Sequence, residues 1–321
     1  MSIVEWVRIG RIHTAALTMP ITLLGYVLAG GIDLLTGLGW VLFALLWHYV
    51  GFLQNNIFDY RYDRADPEKS HFPLVRGSIG IREAMIVDSI GLIALVSFGA
   101  LMAWNPVSLA FLSAGVASGT VYNAFSKRTL LKPIPISICF ASLPMIPYTS
   151  LRPFDDVGAM LFAAVFTSIL YQIGYSGELK DIERAEANIL RRIGGLTPTY
   201  AALLKIINIV FITLLFARLA LSGMVFTFFT ANAVVVVSLS LAVIILLNAQ
   251  IRDYESYIAG VWDRVSALKR MSWMEVVTYW LLVSAVSPVI GVYAVLWAII
   301  PLLWFIAWNR ILWGTKTYPR V

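Results

Sequence analysis

Charged residues are scarce in this 321-residue chain: Asp, Glu, Lys and Arg make up 13% of it, whereas hydrophobic residues make up 60%. A soluble domain carries about 25% charged residues, so this composition argues against a soluble fold. Cysteine and histidine are rarer still, with one Cys and three His. Since Cys139 is alone, the chain can form no intrachain disulfide and no metal site built from cysteines.

Common catalytic and binding motifs are also missing. The chain has no Walker A loop, no His-Glu-x-x-His zinc motif and no Gly-x-Ser-x-Gly nucleophile motif. Its net charge of +6 would suggest a nucleic-acid ligand if the protein were soluble. In a membrane protein, basic loops are needed to set the topology, so we expect no nucleic-acid partner.

The chain is rich in long apolar runs separated by short polar segments. Runs of about 20 apolar residues predict membrane-spanning helices surrounded by membrane lipids. The runs predict spans at residues 12–31, 39–57, 83–104, 107–125, 133–150, 157–176, 198–220, 224–248, 274–291 and 293–313. Pro288 and Gly291 mark either a turn or a kink between the last two. We therefore expect an all-α, polytopic membrane helix bundle of nine or ten helices, in a single domain covering residues 1–321.

Lys and Arg are confined to alternate loops. The even-numbered gaps and both ends of the chain hold almost all of them, whereas the odd-numbered gaps hold only Arg152 and Arg218. The positive-inside rule places the basic loops and both termini in the cytoplasm. We therefore expect a multi-pass protein of a prokaryotic cell membrane whose active-site loops are cytoplasmic. Three of those loops are long, at residues 58–82, 177–197 and 249–273.

One polar stripe at the end of the second span carries the clearest chemical signal. Asn55, Asp59 and Asp63 are spaced four residues apart, which places their side chains on one face of a helix. Mg²⁺ typically takes one or two carboxylates together with diphosphate oxygens. The alternative is that the three residues are the polar end of a span, but ionisable groups at membrane depth are usually functional.

Cations and one histidine accompany this stripe. Lys69 and Arg76 follow in the adjoining loop and can offset the charge of a diphosphate leaving group; ordinary positive-inside charge is the alternative for each. His48 precedes Asn55 by seven residues and lies on roughly the same helix face. It either meets the substrate or packs inside the bundle.

The pattern Asn55-x-x-x-Asp59-x-x-x-Asp63, followed by Lys69 and a Pro-Leu-Val-x-Gly run ending at Gly77, resembles the first aspartate-rich motif of the UbiA superfamily of intramembrane prenyltransferases. The resemblance implies the UbiA-type prenyltransferase fold, a prenyl diphosphate as substrate and Mg²⁺ as cofactor. Members of this superfamily prenylate aromatic acids, quinone precursors, haem, chlorophyllide or archaeal glycerolipids. We therefore expect a lipid-soluble acceptor.

The resemblance extends to basic residues outside this motif. Tyr122 with Lys127 and Arg128, at the end of the fourth span, is similar to the Tyr-then-basic cluster of the family. Arg11, before the first span, is similar to a basic residue that helps to hold the diphosphate. The resemblance thus implies substrate-binding roles for these four residues.

The second aspartate-rich motif of the family lies after the sixth span, and here the sequence departs from it. Lys180-Asp181-Ile182-Glu183 matches well, but Ala185 stands where the second aspartate is expected. If the alignment is shifted, Arg184 and Asn188 occupy the two acidic positions. The resemblance implies a catalytic and metal-binding role for Asp181, as for Asp59 and Asp63. The remaining candidates are Glu178, Glu183 and Glu186 for the metal and Lys180 and Arg184 for the substrate.

Transfer of a prenyl group from a prenyl diphosphate to a lipid-soluble acceptor is the expected function. A transporter is the main non-enzyme alternative, although such proteins favour paired repeats and broken helices near the bilayer midplane. The chain shows no clear repeat, and its acidic clusters lie at the ends of spans. A third reading, suggested by the altered second motif, is a UbiA-like protein that cyclises prenyl chains or is inactive.

Overall fold

The structure is a computed structural model that describes residues 3–180, 182, 187–194, 197–221, 244, 248–249, 251–290 and 293–314. It does not describe the side chains of Glu68, Lys180, Thr197, Pro198, Val277 and residues 264–275. All regular secondary structure in the described ranges is helical, which confirms the predicted all-α class.

Within the described ranges, twelve helices with defined bounds follow one another. They are α1 (Ile3–Ile9), α2 (Ala15–Leu28), α3 (Leu34–Arg64), α4 (Ile81–Met102), α5 (Pro106–Phe125), α6 (Pro133–Leu151), α7 (Asp156–Tyr171), α8 (Glu178–Lys180), α9 (Ile189–Ile193), α10 (Thr197–Leu221), α11 (Arg264–Ile290) and α12 (Ala294–Trp313). Residues 251–258 are also helical. Short 3₁₀ turns occupy Ile12–Thr14 and Pro67–Lys69, and a π-helix occupies Gln172–Gly177.

Six helices in the described ranges are long and apolar enough to cross a membrane, so the chain is an integral membrane protein. They are Leu34–Arg64, Ile81–Met102, Pro133–Leu151, Asp156–Gly177, Thr199–Leu221 and Ala294–Trp313. Shorter apolar helices run over Ile12–Leu28 and Thr278–Ile290. The predicted span 224–248 lies outside the described residues except at 244 and 248, and the total of nine or ten spans stays a prediction.

Most predicted boundaries agree with the structure within a few residues, and two differ. The predicted span 39–57 is the middle of α3, which has 31 residues and is therefore about 46 Å long. That length exceeds the roughly 30 Å hydrocarbon core of a bilayer, so one end of α3 must project beyond it. The predicted polar segment 249–273 is partly helical, because residues 251–258 form a helix and α11 already begins at Arg264.

The chain divides into two compact units. The first comprises residues 1–125, 142–153 and 303–321, and the second comprises residues 126–141 and 154–302. In the first unit, Asp33 directly precedes α3 and caps it, because its carboxylate accepts from the Thr36 N–H at 2.7 Å. α2 packs closely on the second half of α6, because a Cβ at Gly25 would lie only 1.8 Å from the Pro144 carbonyl oxygen.

The second unit is built on α7, the π-helix that continues it, and α10. Its core contains Tyr171, Tyr175, Leu179, Ile182 and Leu190, all buried. The Tyr171 and Tyr175 rings stack at 6.1 Å between centroids, on either side of the start of the π-helix. The π-helix leads directly into the second acidic region, which begins at Glu178. Such turns inside α-helices often occur at functional sites.

Candidate active site

The first aspartate-rich segment forms the last turns of α3. Asn55, Asp59 and Asp63 all lie within this helix, each about one turn from the next, so their side chains follow one face. Asp59 and Asp63 are buried, with 6% and 4% of their surfaces exposed, and Asn55 is half-buried. Carboxylates are rarely this buried without a charged partner or a ligand. This face of α3 is therefore a site of concentrated negative charge.

Lys69 reaches back to this face from the loop after α3. Its Nζ lies 2.6 Å from Oδ1 of Asp63 and 5.9 Å from the ring centroid of Phe72. The chain turns sharply there because Pro67–Lys69 form a 3₁₀ turn in which the Lys69 N–H donates to the Asp66 carbonyl at 3.0 Å. The structure thus brings the predicted cation into contact with a predicted metal ligand.

Arg11 supplies a second cation beside the same aromatic ring. Its guanidinium carbon lies 5.2 Å from the Phe52 ring centroid and 5.7 Å from that of Phe72. Arg11 has a φ of 45°. Among the non-glycine residues that the structure describes, it is the only one with a positive φ. The left-handed region is costly for an L-residue and persists where the surroundings impose it, often at functional sites.

A hydrogen bond from His48 helps to hold the backbone at Arg11. This buried histidine hydrogen-bonds the Arg11 carbonyl oxygen through Nε2 at 3.1 Å and the Thr18 hydroxyl through Nδ1 at 2.8 Å. A carbonyl can only accept, so Nε2 donates and Nδ1 accepts from Thr18. The Thr14 hydroxyl donates to the same Arg11 carbonyl at 2.9 Å. Of the two readings of His48, these contacts favour packing inside the bundle; substrate contact stays a prediction.

Arg76 lies in an ion-pair cluster with the amino-terminal helix. Its guanidinium pairs with the carboxylate of Glu5, which also pairs with Arg8 at 2.8 Å. Burial of Glu5 would by itself raise the pKa of its carboxyl, but the hydrogen bond and charge of Arg76 outweigh that effect and hold the pKa below its ordinary value of 4.5. Arg76 is thus engaged in pinning α1, and its substrate-binding role stays a prediction.

Three further predicted substrate-binding residues follow one another where α5 ends. Tyr122 is half-buried in the last turn of α5, Lys127 is half-buried just beyond it, and Arg128 is exposed. All three take part in interactions within the chain. Their contact with a substrate stays a prediction.

The second acidic region is described only in part. Asp181, Glu183, Arg184 and Glu186, all predicted site residues, lie outside the described residues, and of Lys180 only the backbone is described.

The described part of this region is a buried clamp around Glu178. Glu178 is fully buried, and its Oε1 forms an ion pair with Nζ of Lys132 at 2.7 Å. Its Oε2 accepts from the Ile189 N–H at 2.9 Å. Lys132 also donates to the Ala187 carbonyl at 3.1 Å. Glu178 therefore holds the two ends of the acidic region together, and its role as a metal ligand stays a prediction.

Asn188, which occupies an acidic position of the family motif in one alignment, completes the clamp. Its Nδ2 donates to the Glu178 carbonyl at 2.7 Å, and its Oδ1 accepts from the Arg191 N–H at 3.0 Å, capping α9. An aspartate could cap the helix but could not donate the first bond. The amide at position 188 therefore makes two hydrogen bonds, one as donor and one as acceptor, which an ionised acid could not both make.

The chain was compared with protein-family models, curated sequences and solved structures. The model of the UbiA prenyltransferase family matches residues 18–259, about three quarters of the chain. The chain belongs to the UbiA prenyltransferase family. No curated protein sequence matches it, and in the solved structures the likeness lies in the fold.

Three solved structures share that fold at low sequence identity. A digeranylgeranylglyceryl phosphate synthase superposes with a TM-score of 0.66 at 15% identity, covering 90% of this chain and 98% of its own. A UbiA homologue from Aeropyrum pernix K1 gives 0.62 at 16%, covering 87% and 98%. A UbiA homologue from Archaeoglobus fulgidus gives 0.60 at 16%, covering 89% and 99%. These matches confirm the UbiA-type fold, and family membership supports prenyl transfer as the general activity.

The donor set on α3 fits the divalent metal that UbiA membership implies. Nowhere in the described ranges do three His, Cys, Asp or Glu side chains group as a complete metal site. Asp59, Asp63 and Asn55 instead offer two carboxylates and one amide oxygen, which is fewer ligands than octahedral Mg²⁺ requires. Mg²⁺ usually completes its shell with waters and substrate phosphates, so a set of three protein oxygens is compatible with this metal.

Sequence reasoning missed three buried polar residues of this UbiA protein. Lys132 was counted only as a topology-setting charge, and Asn123, which hydrogen-bonds Asn55 at 3.3 Å, was not considered. Lys205 lies inside the apolar span of α10, where its Nζ donates to Asn208 at 2.9 Å and lies 4.5 Å from the Tyr171 ring centroid. A lysine or asparagine inside an apolar run is the signal that could have found the last two.

Proposed function

We propose that the chain transfers a prenyl group from a prenyl diphosphate to an aromatic, quinone-precursor or glycerolipid acceptor within the membrane, with Mg²⁺ as cofactor. The observation that carries the proposal is the pair of buried carboxylates, Asp59 and Asp63, at the end of a membrane-spanning helix with Lys69 beside one of them. Buried carboxylates at a span end can retain a metal ion that a hydrated loop would hold weakly.

Roles for the residues follow from their chemistry. Asn55, Asp59 and Asp63 would hold the Mg²⁺, which when bound lowers the charge of the diphosphate leaving group. Lys69 is well placed to exchange its contact with Asp63 for one with the diphosphate, because its Nζ already lies beside that carboxylate at 2.6 Å and 17% of its side chain is exposed to an arriving ligand. Arg11 would offer a planar guanidinium to the same anion.

The reaction breaks one bond and forms one. The bond between C1 of the prenyl group and the diphosphate oxygen breaks, and its electron pair leaves with the diphosphate. C1 then carries allylic cation character, and a carbon or hydroxyl oxygen of the acceptor supplies the electron pair of the new bond. The acceptor loses one proton. An apolar bundle protects the cation because it keeps water away from C1.

Relatives support the donor and the metal. UbiA homologues from Archaeoglobus fulgidus have been solved with GPP and Mg²⁺, with DMAPP and Mg²⁺, and with Cd²⁺. At 15–16% identity these similarities support the fold alone. The length of the prenyl group in the donor and the class of the acceptor are therefore to be measured. The proposed substrate contacts also include Arg76, Tyr122, Lys127, Arg128, Lys180 and Arg184. In the second region, Asp181 remains a proposed catalytic residue and metal ligand, and Glu183 and Glu186 remain proposed metal ligands.

The decisive experiment measures diphosphate release by the purified protein from prenyl diphosphates of increasing length. Each reaction is run with Mg²⁺ or with a chelator, and with or without an aromatic, quinone-precursor or glycerolipid acceptor. Release that requires Mg²⁺ and one acceptor, with the prenylated acceptor seen by mass spectrometry, supports the proposal. Release without an acceptor would favour cyclisation, and uptake of a solute into vesicles without any release would favour a transporter.

We also propose that both acidic regions face the cytoplasm within a single prenyltransferase domain. Ser70, in the loop after α3, and Arg191, in α9 near the second region, are both exposed, whereas Ile32, between α2 and α3, is 96% exposed on the predicted outer side. Single cysteines at these positions, in a chain where Cys139 is replaced by alanine, test this. Labelling of Ser70→Cys and Arg191→Cys only from the cytoplasm, and of Ile32→Cys only from outside, is expected. The reverse pattern would contradict the proposal.

A further inference from the structure

Asn123 is buried in α5 and forms hydrogen bonds with the end of α3. Its Nδ2 donates to the Gly51 carbonyl oxygen at 3.1 Å and to Oε1 of Gln54 at 3.0 Å. Its Oδ1 accepts from Nδ2 of Asn55 at 3.3 Å. With 7% of its surface exposed, this amide has its hydrogen-bonding groups engaged by protein groups rather than by water.

The orientation of the Asn123 amide is fixed by the backbone. An amide can in principle be turned over, exchanging its oxygen and nitrogen. The Gly51 carbonyl can only accept, so the Asn123 nitrogen must face it. The Asn123 oxygen must then face the opposite way, towards Asn55.

This orientation determines that of Asn55. Facing an oxygen that can only accept, Asn55 must present its own nitrogen to Asn123. The Asn55 oxygen is therefore directed away from Asn123. If Asn55 turned over, two amide oxygens would face each other and a hydrogen bond between half-buried groups would be lost.

The network continues beyond Gln54. Because Gln54 accepts from Asn123 through Oε1, its amide nitrogen is left to interact with the half-buried carboxyl of Asp88 in α4. A carboxylate accepts hydrogen bonds, so Asp88 stabilises the same orientation of Gln54 that Asn123 requires. The Gly51 carbonyl thus fixes the direction of the Asn123 amide, and Asn123 in turn fixes those of Asn55 and Gln54.

We propose that Asn123 is a positioning residue that fixes the amide of Asn55 with its oxygen, rather than its nitrogen, available to the divalent cation. This inference rests on the proposed function, in which Asn55 is a metal ligand. An amide nitrogen cannot ligate Mg²⁺, so a freely rotating Asn55 would offer the correct atom only part of the time. An aspartate at 55 would need no such control, because both of its oxygens can bind.

A double-mutant cycle on metal binding tests the inference. Mn²⁺, which replaces Mg²⁺ and is visible by electron paramagnetic resonance, is titrated into purified protein with an unreactive thiolo analogue of a prenyl diphosphate. Asn123→Ala is expected to weaken Mn²⁺ binding about tenfold, a coupling typical of one hydrogen bond. In a chain that already carries Asn55→Asp, the same Asn123→Ala change is expected to have little effect. An equal loss in both backgrounds would overturn the inference.

A second variant separates positioning from general damage. Asn123→Asp keeps an oxygen that accepts from Asn55 but places another against the Gly51 carbonyl. Positioning predicts that Asn123→Asp binds Mn²⁺ better than Asn123→Ala even though it is less stable to heating. A purely structural role predicts that Asn123→Asp is worse in both respects, and that result would overturn the inference.

A control at the opposite end of α5 from Asn123 guards against effects of lost stability alone. Asn105, the residue just before α5, donates to the Thr149 carbonyl at 2.8 Å. Asn105→Ala is expected to lower the unfolding temperature without changing Mn²⁺ binding. If the unaltered protein with the analogue binds no Mn²⁺ at all, the proposed function itself fails. If it binds Mn²⁺ and Asn123→Ala binds equally well, only the inference about Asn123 fails.

Discussion

The two acidic regions of the chain each contain a carboxylate paired with a lysine from outside the helix that carries it, but the pairs differ in their surroundings. Lys69 and Asp63 are joined at 2.6 Å with 17% and 6% of their side chains exposed, in a loop that returns to α3. Lys132 and Glu178 are joined at 2.7 Å with 9% and 0% exposed. The Glu178 carboxylate also accepts from the Ile189 backbone, and so serves the fold.

The comparison teaches that an ion pair alone does not mark an active site. A buried pair whose remaining atoms are bonded to the protein stabilises one local structure, and removing one partner leaves an uncompensated charge. In the Asp63 pair, a second carboxylate lies nearby and the lysine side chain is partly exposed. Such a lysine can exchange its carboxylate partner for an arriving ligand. We therefore propose a chemical role for the Asp63 pair and a structural role for the Glu178 pair.

The largest expected effect comes from neutralising the carboxylates on α3. Asp59→Asn and Asp63→Asn keep the size of the side chain but remove a charged metal ligand. Each is expected to lower Mg²⁺-dependent diphosphate release roughly 10²–10³-fold, as the loss of a transition-state charge contact does elsewhere. The measurement is the release rate at saturating prenyl diphosphate.

Asp33 provides a matched control because it lies at the other end of the same helix. Asp33→Asn makes the same chemical change at an exposed N-cap, where asparagine caps equally well. It is expected to leave release unchanged. Native rates for both Asp59→Asn and Asp63→Asn would remove the basis of the proposed function.

The second prediction applies one substitution to both lysines. Lys132→Met leaves Glu178 buried and unpaired, and is expected to destabilise the protein by about 3–5 kcal/mol, the usual cost of breaking a buried pair. Lys69→Met is expected to cost less than Lys132→Met, because 17% and 6% of the Lys69 and Asp63 side chains are exposed, yet to abolish most of the activity. Apparent unfolding temperature in detergent and diphosphate release are measured for each.

A further change tests the reason for the instability. Adding Glu178→Gln to Lys132→Met removes the unpaired charge while keeping an oxygen that can accept from the Ile189 N–H, and is expected to restore part of the lost stability. If Lys132→Met proved stable but inactive, and Lys69→Met unstable but active, the contrast between the two regions would be reversed and our assignment wrong.

Much of the fold could be predicted because apolar length is a strong signal. The predicted spans 83–104, 107–125 and 133–150 correspond to helices Ile81–Met102, Pro106–Phe125 and Pro133–Leu151. The four-residue spacing of Asn55, Asp59 and Asp63 likewise sufficed to place them on one helix face. Periodicity reports local geometry, and these features are local.

What could not be predicted depends on contacts between residues distant in the chain. Lys132 meets Glu178 across 46 positions (132 to 178) and Asn123 meets Asn55 across 68, and no pattern in one sequence encodes such a pairing. Arg76 shows the same limit, because its proximity to the acidic loop suggested a substrate contact, whereas the structure pairs it with Glu5 at the start of the chain.

The smallest expected effect concerns this Glu5 cluster, which resembles the Glu178 pair in role but is more exposed. Since the arginine charges hold the pKa of folded Glu5 below its ordinary value of 4.5, the ionised carboxylate binds its proton less tightly in the folded state than in the unfolded one. Its stabilising contribution is therefore complete above about pH 4.5 and is lost as the pH falls through the lower, folded-state value.

Glu5→Gln removes this contribution and should lower stability near neutral pH by about 1 kcal/mol or less, as for a partly exposed pair. The difference in unfolding temperature between the native chain and Glu5→Gln should then shrink as the pH is lowered below 4.5. Arg82→Gln, at an exposed arginine near the start of α4, is the control for loss of one surface charge and should show no such pH dependence. A difference that grew on acidification would mean that folding raises the pKa of Glu5, and that Arg76 and Arg8 do not stabilise its ionised form. In that case the amino-terminal cluster would resemble neither lysine–carboxylate pair, since both depend on an ionised acid.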